Sequence, residues 1–356
     1  MSGLNNAYIL SIVVPCYNCE KTLDKTVESL VRQELTESIG YSEYQVVLVD
    51  DGSKDLTPEI CDKYEQEYSI VRAVHKSNGG LVSAWKTGVR NAGGEYIAFC
   101  DADDYIDKDF INTVLKTINS YKPDVIAFGM ITEYDNGEVE KNDILLKSGF
   151  YDRPKINAEI LPILLSNGDM ESDLIMSSRC NKVFKKVLLE RIMNDVSDTL
   201  SMGEDDVTSF AAALNMCSIY SINGYFPYHY VRNSQSMIGA YDDKIFSKID
   251  LLYESLKAVS QKYEYLHTDQ VEKRILALLF IYIKKEICKY PGNRKLLFDR
   301  LKRIHNSDTF NQCFSESTIR NYSLTKKLFA FMFYKELYGF LYVVVKTFEL
   351  IRGRNV

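Results

Sequence analysis

Apolar runs rich in β-branched residues recur at 9–14, 45–49, 70–74, 96–100 and 125–128, and each predicts a strand. Between them the apolar positions switch to a helical period. Leu23, Val27, Leu30 and Val31 share one face, Ile60 and Tyr64 a second, and Phe110, Val114, Leu115 and Ile118 a third. Thr57 before Pro58, and Asp107 ahead of Phe110, have the chemistry of helix starts. Nearly continuous apolar strands alternating with amphipathic helices predict an α/β fold: a doubly wound, mostly parallel sheet covered on both faces. From Gly129 the rhythm changes. Asn136-Gly137, within an extended segment at 131–139, predicts a hairpin turn, and helical segments follow. Beyond about residue 241 no strand is predicted, and the helical pattern restarts near Asp269, Asn293 and Thr325. The expected division is therefore an α/β domain over 1–240 and an all-helical C-terminal region over 241–356.

Composition adds exclusions. The chain has 356 residues, 46% hydrophobic and 26% charged, with a net charge of −6, which argues against a nucleic-acid partner. The first apolar run has no basic flank and ends at Pro15, so neither a signal peptide nor a membrane span is predicted and a cytoplasmic location is expected. The eight cysteines are expected as reduced, mostly buried thiols. Cys16 and Cys19 have C-x-x-C spacing, but no second pair completes a zinc set and the surroundings are not thioredoxin-like.

In an open α/β sheet, ligands bind outside the carboxyl ends of the strands, and here those ends are polar and acidic. Asp101 and Asp103 stand two apart in extended chain, so both carboxylates can face one hard cation, magnesium or manganese, whose other ligands come from water and substrate phosphates. Asp50-Asp51-Gly52-Ser53 has the composition of a capped turn, but in the crevice Asp51 offers an acceptor for the imide hydrogen of uracil. Asn78-Gly79-Gly80 allows close backbone approach to a ligand at a helix start suited to a diphosphate, although a plain flexible turn has the same composition. Glu204, Asp205 and Asp206 open a further helix. There they complement its dipole, and they also supply a second carboxylate site where a base would serve transfer to a hydroxyl.

With these residues assembled, the chain resembles the glycosyltransferase family 2 enzymes of GT-A fold, among them enzymes of bacterial surface-polysaccharide synthesis. The resemblance runs through residues 11–18, 49–55 and 94–104, then Asn181-Lys182-Val183-Phe184, Gly203-Glu204-Asp205, and Tyr230-Val231-Arg232 ahead of Ser236. It implies that Pro15, Tyr17, Glu20 and Asp51 hold the nucleoside, Asp101 the nucleotide region, Asp103 the metal, and that Asp205 is the general base. Arg232 matches a basic position facing diphosphate or acceptor. One departure stands out: where many relatives have Arg-Asn, this chain has Trp85-Lys86, so Lys86 is expected to supply the positive charge toward the nucleotide-sugar, although its ammonium lacks the guanidinium fork for phosphate. The implied reaction moves a sugar with inversion from a nucleoside diphosphate, usually a uridine diphosphate sugar, to a saccharide acceptor that is often lipid-linked. A nucleotidyltransferase would show a glycine- and basic-rich loop after the first strand, where Pro15-Cys16-Tyr17-Asn18 stands. A silent nucleotide-sugar-binding or scaffold relative would lack Asp103 or Asp205.

The C-terminal stretch from Lys326 combines an aromatic run with an apolar block at 337–345, flanked by six basic and two acidic residues. Nine apolar residues are too few to cross a bilayer. Two expectations compete: an interfacial helix lying on anionic lipid, and a terminal helix packed on its own chain or pairing with a second copy as a homodimer.

Overall fold

The structure, a computed structural model, describes residues 8–36, 43–166, 174, 177–232 and 241–352. By contact the chain divides into two compact units, one of residues 1–161 and 175–234, the other of 162–174 and 235–356.

In the first unit, β1 (Tyr8–Cys16), α1 (Leu23–Val31), β2 (Tyr44–Asp50), α2 (Thr57–Glu67), β3 (Val71–His75), α3 (Leu81–Asn91) and β4 (Gly94–Phe99) alternate as the periodicity predicts. Then come β5 (Tyr105–Ile106), α4 (Phe110–Tyr121), β6 (Val125–Phe128), β7 (Met130–Tyr134), β8 (Val139–Asn142), β9 (Gly149–Asp152) and the single turn α5 (Arg153–Lys155). The unit closes with β10 (Lys182–Lys185), α6 (Lys186–Ile192), α7 (Glu204–Asn215), β11 (Ser218–Ile222) and β12 (Tyr228–Arg232). The larger sheet has the order β3-β2-β1-β4-β10-β6-β11-β9, and a smaller one runs β5-β12-β7-β8. Strands β1 to β4 are parallel throughout, whereas β10 lies antiparallel between β4 and β6, so the sheet is mixed rather than parallel along its whole width.

The chain steps outward from β1 to β3 and then returns to place β4 on the other side of β1. That reversal opens a crevice at the carboxyl ends of β1 and β4. The register levels the strand ends: Val13 lies opposite Phe99, Cys16 opposite Asp50, and Asp50 opposite His75. Gly88 sets how closely α3 packs on this sheet, because a Cβ there would lie 2.2 Å from Cγ1 of Val13. The hairpin β7–β8 turns at Asn136-Gly137 with Gly137 at φ 83°. Two expected caps shift by a residue or two. Thr57 is the first residue of α2, and Asp109 rather than Asp107 precedes α4.

The second unit is helical over its described residues: α8 (Ile245–Lys262), α9 (Asp269–Lys289), α10 (Arg294–His305), α11 (Asp308–Cys313), α12 (Glu316–Ile319), α13 (Leu324–Tyr334) and α14 (Tyr338–Arg352). α9 forms its centre, burying Ile275, Leu276, Leu279, Phe280 and Ile283. The Phe280 ring lies against Phe310, Phe329 and Phe333 at centroid distances of 6.4, 5.5 and 6.3 Å. Asn293 caps α10 by accepting from the Leu296 amide, and Ser323 caps α13 by accepting from Lys326. Among the described residues no helix is long and apolar enough to cross a membrane.

Candidate active site

The loop after β1 is laced to the loop after β2. The Asn18 amide donates to Ser53 Oγ at 3.0 Å, Cys19 to Thr57 Oγ1 at 2.9 Å and Glu20 to Asp55 at 3.1 Å. In return the Lys54 amide donates to Asn18 Oδ1 and the Leu56 amide to Glu20 Oε2. Asn18 adopts φ 48°, which an Asn tolerates through its short polar side chain. Pro15 is buried under this lacing, while the Tyr17 ring is 52% exposed beside it. Cys16 and Cys19 are free thiols: the Cys16 thiol donates to the Val14 carbonyl at 3.4 Å, and the Cys19 sulfur accepts from the Thr57 hydroxyl at 3.7 Å.

Asp51 organises the next loop. Its buried carboxylate accepts from Lys76 Nζ at 2.5 Å and from the amides of Gly79 at 3.0 Å and Gly80 at 2.7 Å. The side chain expected to meet a base thus also fixes the glycine turn that opens α3, leaving Asn78 and Gly79 exposed at that helix start. Gly52 has φ 72° and its Cα side abuts the Asn78 amide, so the two loops meet backbone to backbone. Lys86 lies elsewhere: it is buried, and its ammonium donates to the Val196 carbonyl at 2.5 Å and to Asp198 at 2.6 Å. Its charge is committed to the 196–198 segment rather than open to a phosphate.

At the end of β4 three carboxylates have different surroundings. Asp104 is buried, accepts from the Tyr228 hydroxyl at 2.5 Å and the Val231 amide at 2.8 Å, and is pushed up to about 8 by burial and the Asp101 charge. The same Tyr228 oxygen accepts from the Asp101 amide at 3.1 Å, tying β12 to the acidic turn. Asp103 is open to solvent, yet lost hydration on its walled side and the neighbouring Asp101 raise its carboxyl above the usual range. Arg232, at the end of β12, sets its guanidinium over the Tyr134 ring at 5.5 Å.

The second acidic group comes from α7, which starts at Gly203 in the left-handed region with Glu204 and Asp205 in its first turn. It is joined to the β4 turn by one residue. Arg179, 1% exposed, donates to Asp101 at 2.8 Å through Nη2 and to Asp205 at 2.6 Å through Nη1, with Glu204 3.4 Å away. Burial raises Asp205 and Glu204, the latter to about 7; Arg179 pulls against that rise in both. Asp101, Asp103 and Asp205 thus belong to one cluster. Among the described residues no three His, Cys, Asp or Glu side chains form a preassembled metal cage. The acidic turn nevertheless suits a hard cation: an oxygen-only pair in which lost hydration and the Asp101 charge both raise the Asp103 carboxyl is relieved by a divalent ion that takes its remaining ligands from phosphate and water.

Arg179, Tyr228 and Lys76 were not apparent as site residues in the sequence. Arg179 stands just before Asn181-Lys182-Val183-Phe184, in a polar stretch from Ser177 to Lys182 that gives no local signal of burial.

Residues 11–189, half of the chain, match Glycosyl transferase family 2, and the chain belongs to that family. It is 27% identical to EpsH of Bacillus subtilis over 303 residues, which are 83% of this chain and 81% of EpsH. It is 30% identical to the glycosyltransferase GlyA of Streptococcus pneumoniae over 196 residues, 55% of this chain but only 27% of that longer protein. The poly(ribitol-phosphate) β-N-acetylglucosaminyltransferase TarS of Staphylococcus aureus is 25% identical over 73% of this chain and 42% of its own length. In structure, TarS residues 1–349 with UDP-GlcNAc superpose with a TM-score of 0.67 at 19% identity, covering 96% of this chain and 92% of that one. That likeness gives the fold: GT-A with a helical C-terminal region.

Proposed function

We propose that the chain is an inverting glycosyltransferase that moves a hexosyl or N-acetylhexosaminyl group from a uridine diphosphate sugar to a hydroxyl of a saccharide acceptor. The observation that carries this reading is the joining of the β4 acidic turn to Asp205 by Arg179. One crevice then has a place for a diphosphate and, beside it, a carboxylate of raised pKa suited to accept a hydroxyl proton. The laced loops carrying Pro15, Tyr17, Glu20 and Asp51 hold the nucleoside, with the exposed Tyr17 ring beside the base. Asn78 and Gly79 present backbone to the diphosphate at the start of α3, and Arg232 faces the diphosphate or the acceptor. Asp101 and Asp103 would hold magnesium or manganese, which supplies charge stabilisation to the departing diphosphate. The UDP-GlcNAc complex of TarS supports uridine as the nucleoside. A thermal-shift panel of nucleoside diphosphates and their sugars, with and without manganese, tests the reading: selective stabilisation by UDP and a UDP-sugar is expected, and indifference to all of them contradicts it.

The acceptor is a lipid-linked saccharide of surface-polysaccharide synthesis, met at the inner face of the cell membrane. Support comes from the second unit. On α13, Leu324, Leu328 and Phe331 share an exposed face with Lys327, Lys335 follows at the helix end, and on α14 Phe340, Val343, Leu350 and Ile351 form an exposed apolar stripe. Leu324 is 84% exposed and Phe340 61%. An apolar surface interleaved with lysine, on a chain of net charge −6, fits an anionic lipid headgroup layer.

A further inference from the structure

Arg179 is a fully buried cation whose two terminal nitrogens are divided between carboxylates from distant parts of the chain. Nη2 meets Asp101 at the end of β4, and Nη1 meets Asp205 in the first turn of α7. Several features hold the group still. Its guanidinium lies over the Phe99 ring at 5.7 Å, and Phe99 in turn packs edge-on against Phe184 of β10 at 6.3 Å and Trp85 of α3 at 5.9 Å. Arg179 also precedes β10, the antiparallel strand wedged between β4 and β6. A rigid planar fork, unlike an ammonium, fixes the spacing and the relative orientation of both partners.

We propose that Arg179 is a positioning residue with two linked tasks: it sets the span between the donor-side carboxylate Asp101 and the base Asp205, and it holds the place of a divalent cation's charge at Asp101 until that cation arrives with the donor. The inference rests on the roles given above to Asp101 and Asp205. Asp101, Asp103, Asp104, Glu204 and Asp205 crowd into one region, and Arg179 contacts three of them directly. Without a cation, negative groups so close together would repel each other and spread the turn. With a divalent ion at the Asp101–Asp103 pair, the guanidinium competes with the ion for Asp101 while keeping its hold on Asp205. Donor loading would thereby be coupled to the setting of the base.

The coupling has an uncommon sign, which separates it from a packing role. Replacing a buried residue that only supports the fold loosens the acidic turn and leaves manganese affinity unchanged or weaker. Removing a competing positive charge does the reverse. The test is titration of manganese alone, followed by electron paramagnetic resonance, into wild-type, Arg179→Gln and Arg179→Lys proteins, with circular dichroism to establish folding. Arg179→Gln is expected to bind manganese roughly tenfold tighter than wild type, the order expected for removing one nearby charge in a partly screened site. Arg179→Lys keeps the charge and is expected to bind manganese as wild type does. Its ammonium cannot bridge both carboxylates in the same geometry, so UDP release from UDP-GlcNAc, with water taking the sugar when no saccharide is supplied, should fall about tenfold or more with the donor KM changed little.

A folded Arg179→Gln protein with equal or weaker manganese binding overturns the charge-holding task. Full UDP release by Arg179→Lys overturns the positioning task, and this variant decides the matter should the glutamine variant fail to fold. Asp205→Asn, measured alongside, keeps the two readings apart. If it retains full UDP release, the base assignment is wrong whatever Arg179 does; if it is inactive while Arg179→Lys is fully active, only the present inference fails.

Discussion

The Tyr228 hydroxyl donates to the buried Asp104 carboxylate at 2.5 Å and accepts from the Asp101 amide at 3.1 Å, so one phenol on β12 fixes the turn that follows β4. The Asp104 carboxylate also accepts from the Val231 amide at 2.8 Å. Tyr228→Phe leaves a buried carboxyl and an amide short of a partner while preserving the ring's packing. The expected cost is about 1–3 kcal/mol of stability. Urea denaturation of wild type and variant checks it, and equal midpoints would show that the hydroxyl contributes nothing.

Gly88 offers a test of how the glycine turn is placed. An added Cβ meets Val13 Cγ1 at 2.2 Å and Val49 Cγ2 at 3.2 Å, both core side chains with no room to retreat. Gly88→Ala should push α3 off β1 and β2, at a cost of about 1–3 kcal/mol for overpacking. Because α3 carries the Gly79-Gly80 turn at its start, UDP affinity measured by calorimetry should fall with it. Unchanged affinity in a destabilised variant would separate the packing from the site.

His75 links the second and third strands to α2 through Asp50 at 3.1 Å and Asp62 at 2.9 Å. Burial alone would lower the imidazole, but these two hydrogen bonds and the carboxylate charges outweigh it, and the ring titrates above its ordinary value. A group raised on folding contributes stability that is complete below its unfolded pKa and is lost as pH rises through its folded pKa. The stability difference between wild type and His75→Asn should therefore be larger at about pH 5.5 than at about pH 8.5, on either side of the ordinary histidine value. Equal differences at both pH values would contradict the ion-pair account.

The first four strands and their helices were legible in the sequence because each strand is a largely apolar run leading into a helical segment, as with the Val46 to Val49 positions and the α1 face of Leu23, Val27 and Leu30. The acidic turn at Asp101 was legible for the same reason: it directly follows such a run. Strands β9 to β12 were not anticipated as strands. They are only four or five residues long, and polar residues such as Lys, Ser, His and Arg break up their apolar positions, so no apolar run marks them. Arg179 was hidden more deeply. Its role exists only once β10 is inserted beside β4, and no local period marks an arginine that is to be buried. Lys86 shows the converse: its position in the α3 helix was legible, but its partner at Val196 lies 110 residues away.

The exposed face of α13 and α14 predicts lipid attachment. Full-length protein should co-sediment with vesicles containing anionic lipid and release as salt rises, since each basic residue near such a surface contributes about 1 kcal/mol that ions screen. Phe331→Asp with Phe340→Asp should weaken sedimentation without changing UDP binding. If those changes leave sedimentation intact, or instead convert a dimer to a monomer, the face is a protein contact.

Asp205→Asn, measured for binding and turnover together, decides whether this crevice binds a nucleotide donor and uses Asp205 to activate the acceptor. Calorimetry with UDP and manganese should give a dissociation constant within about twofold of wild type, while UDP release from UDP-GlcNAc falls by a factor on the order of a hundred to ten thousand. Full turnover in that variant, or loss of UDP binding in step with turnover, would contradict that role for Asp205.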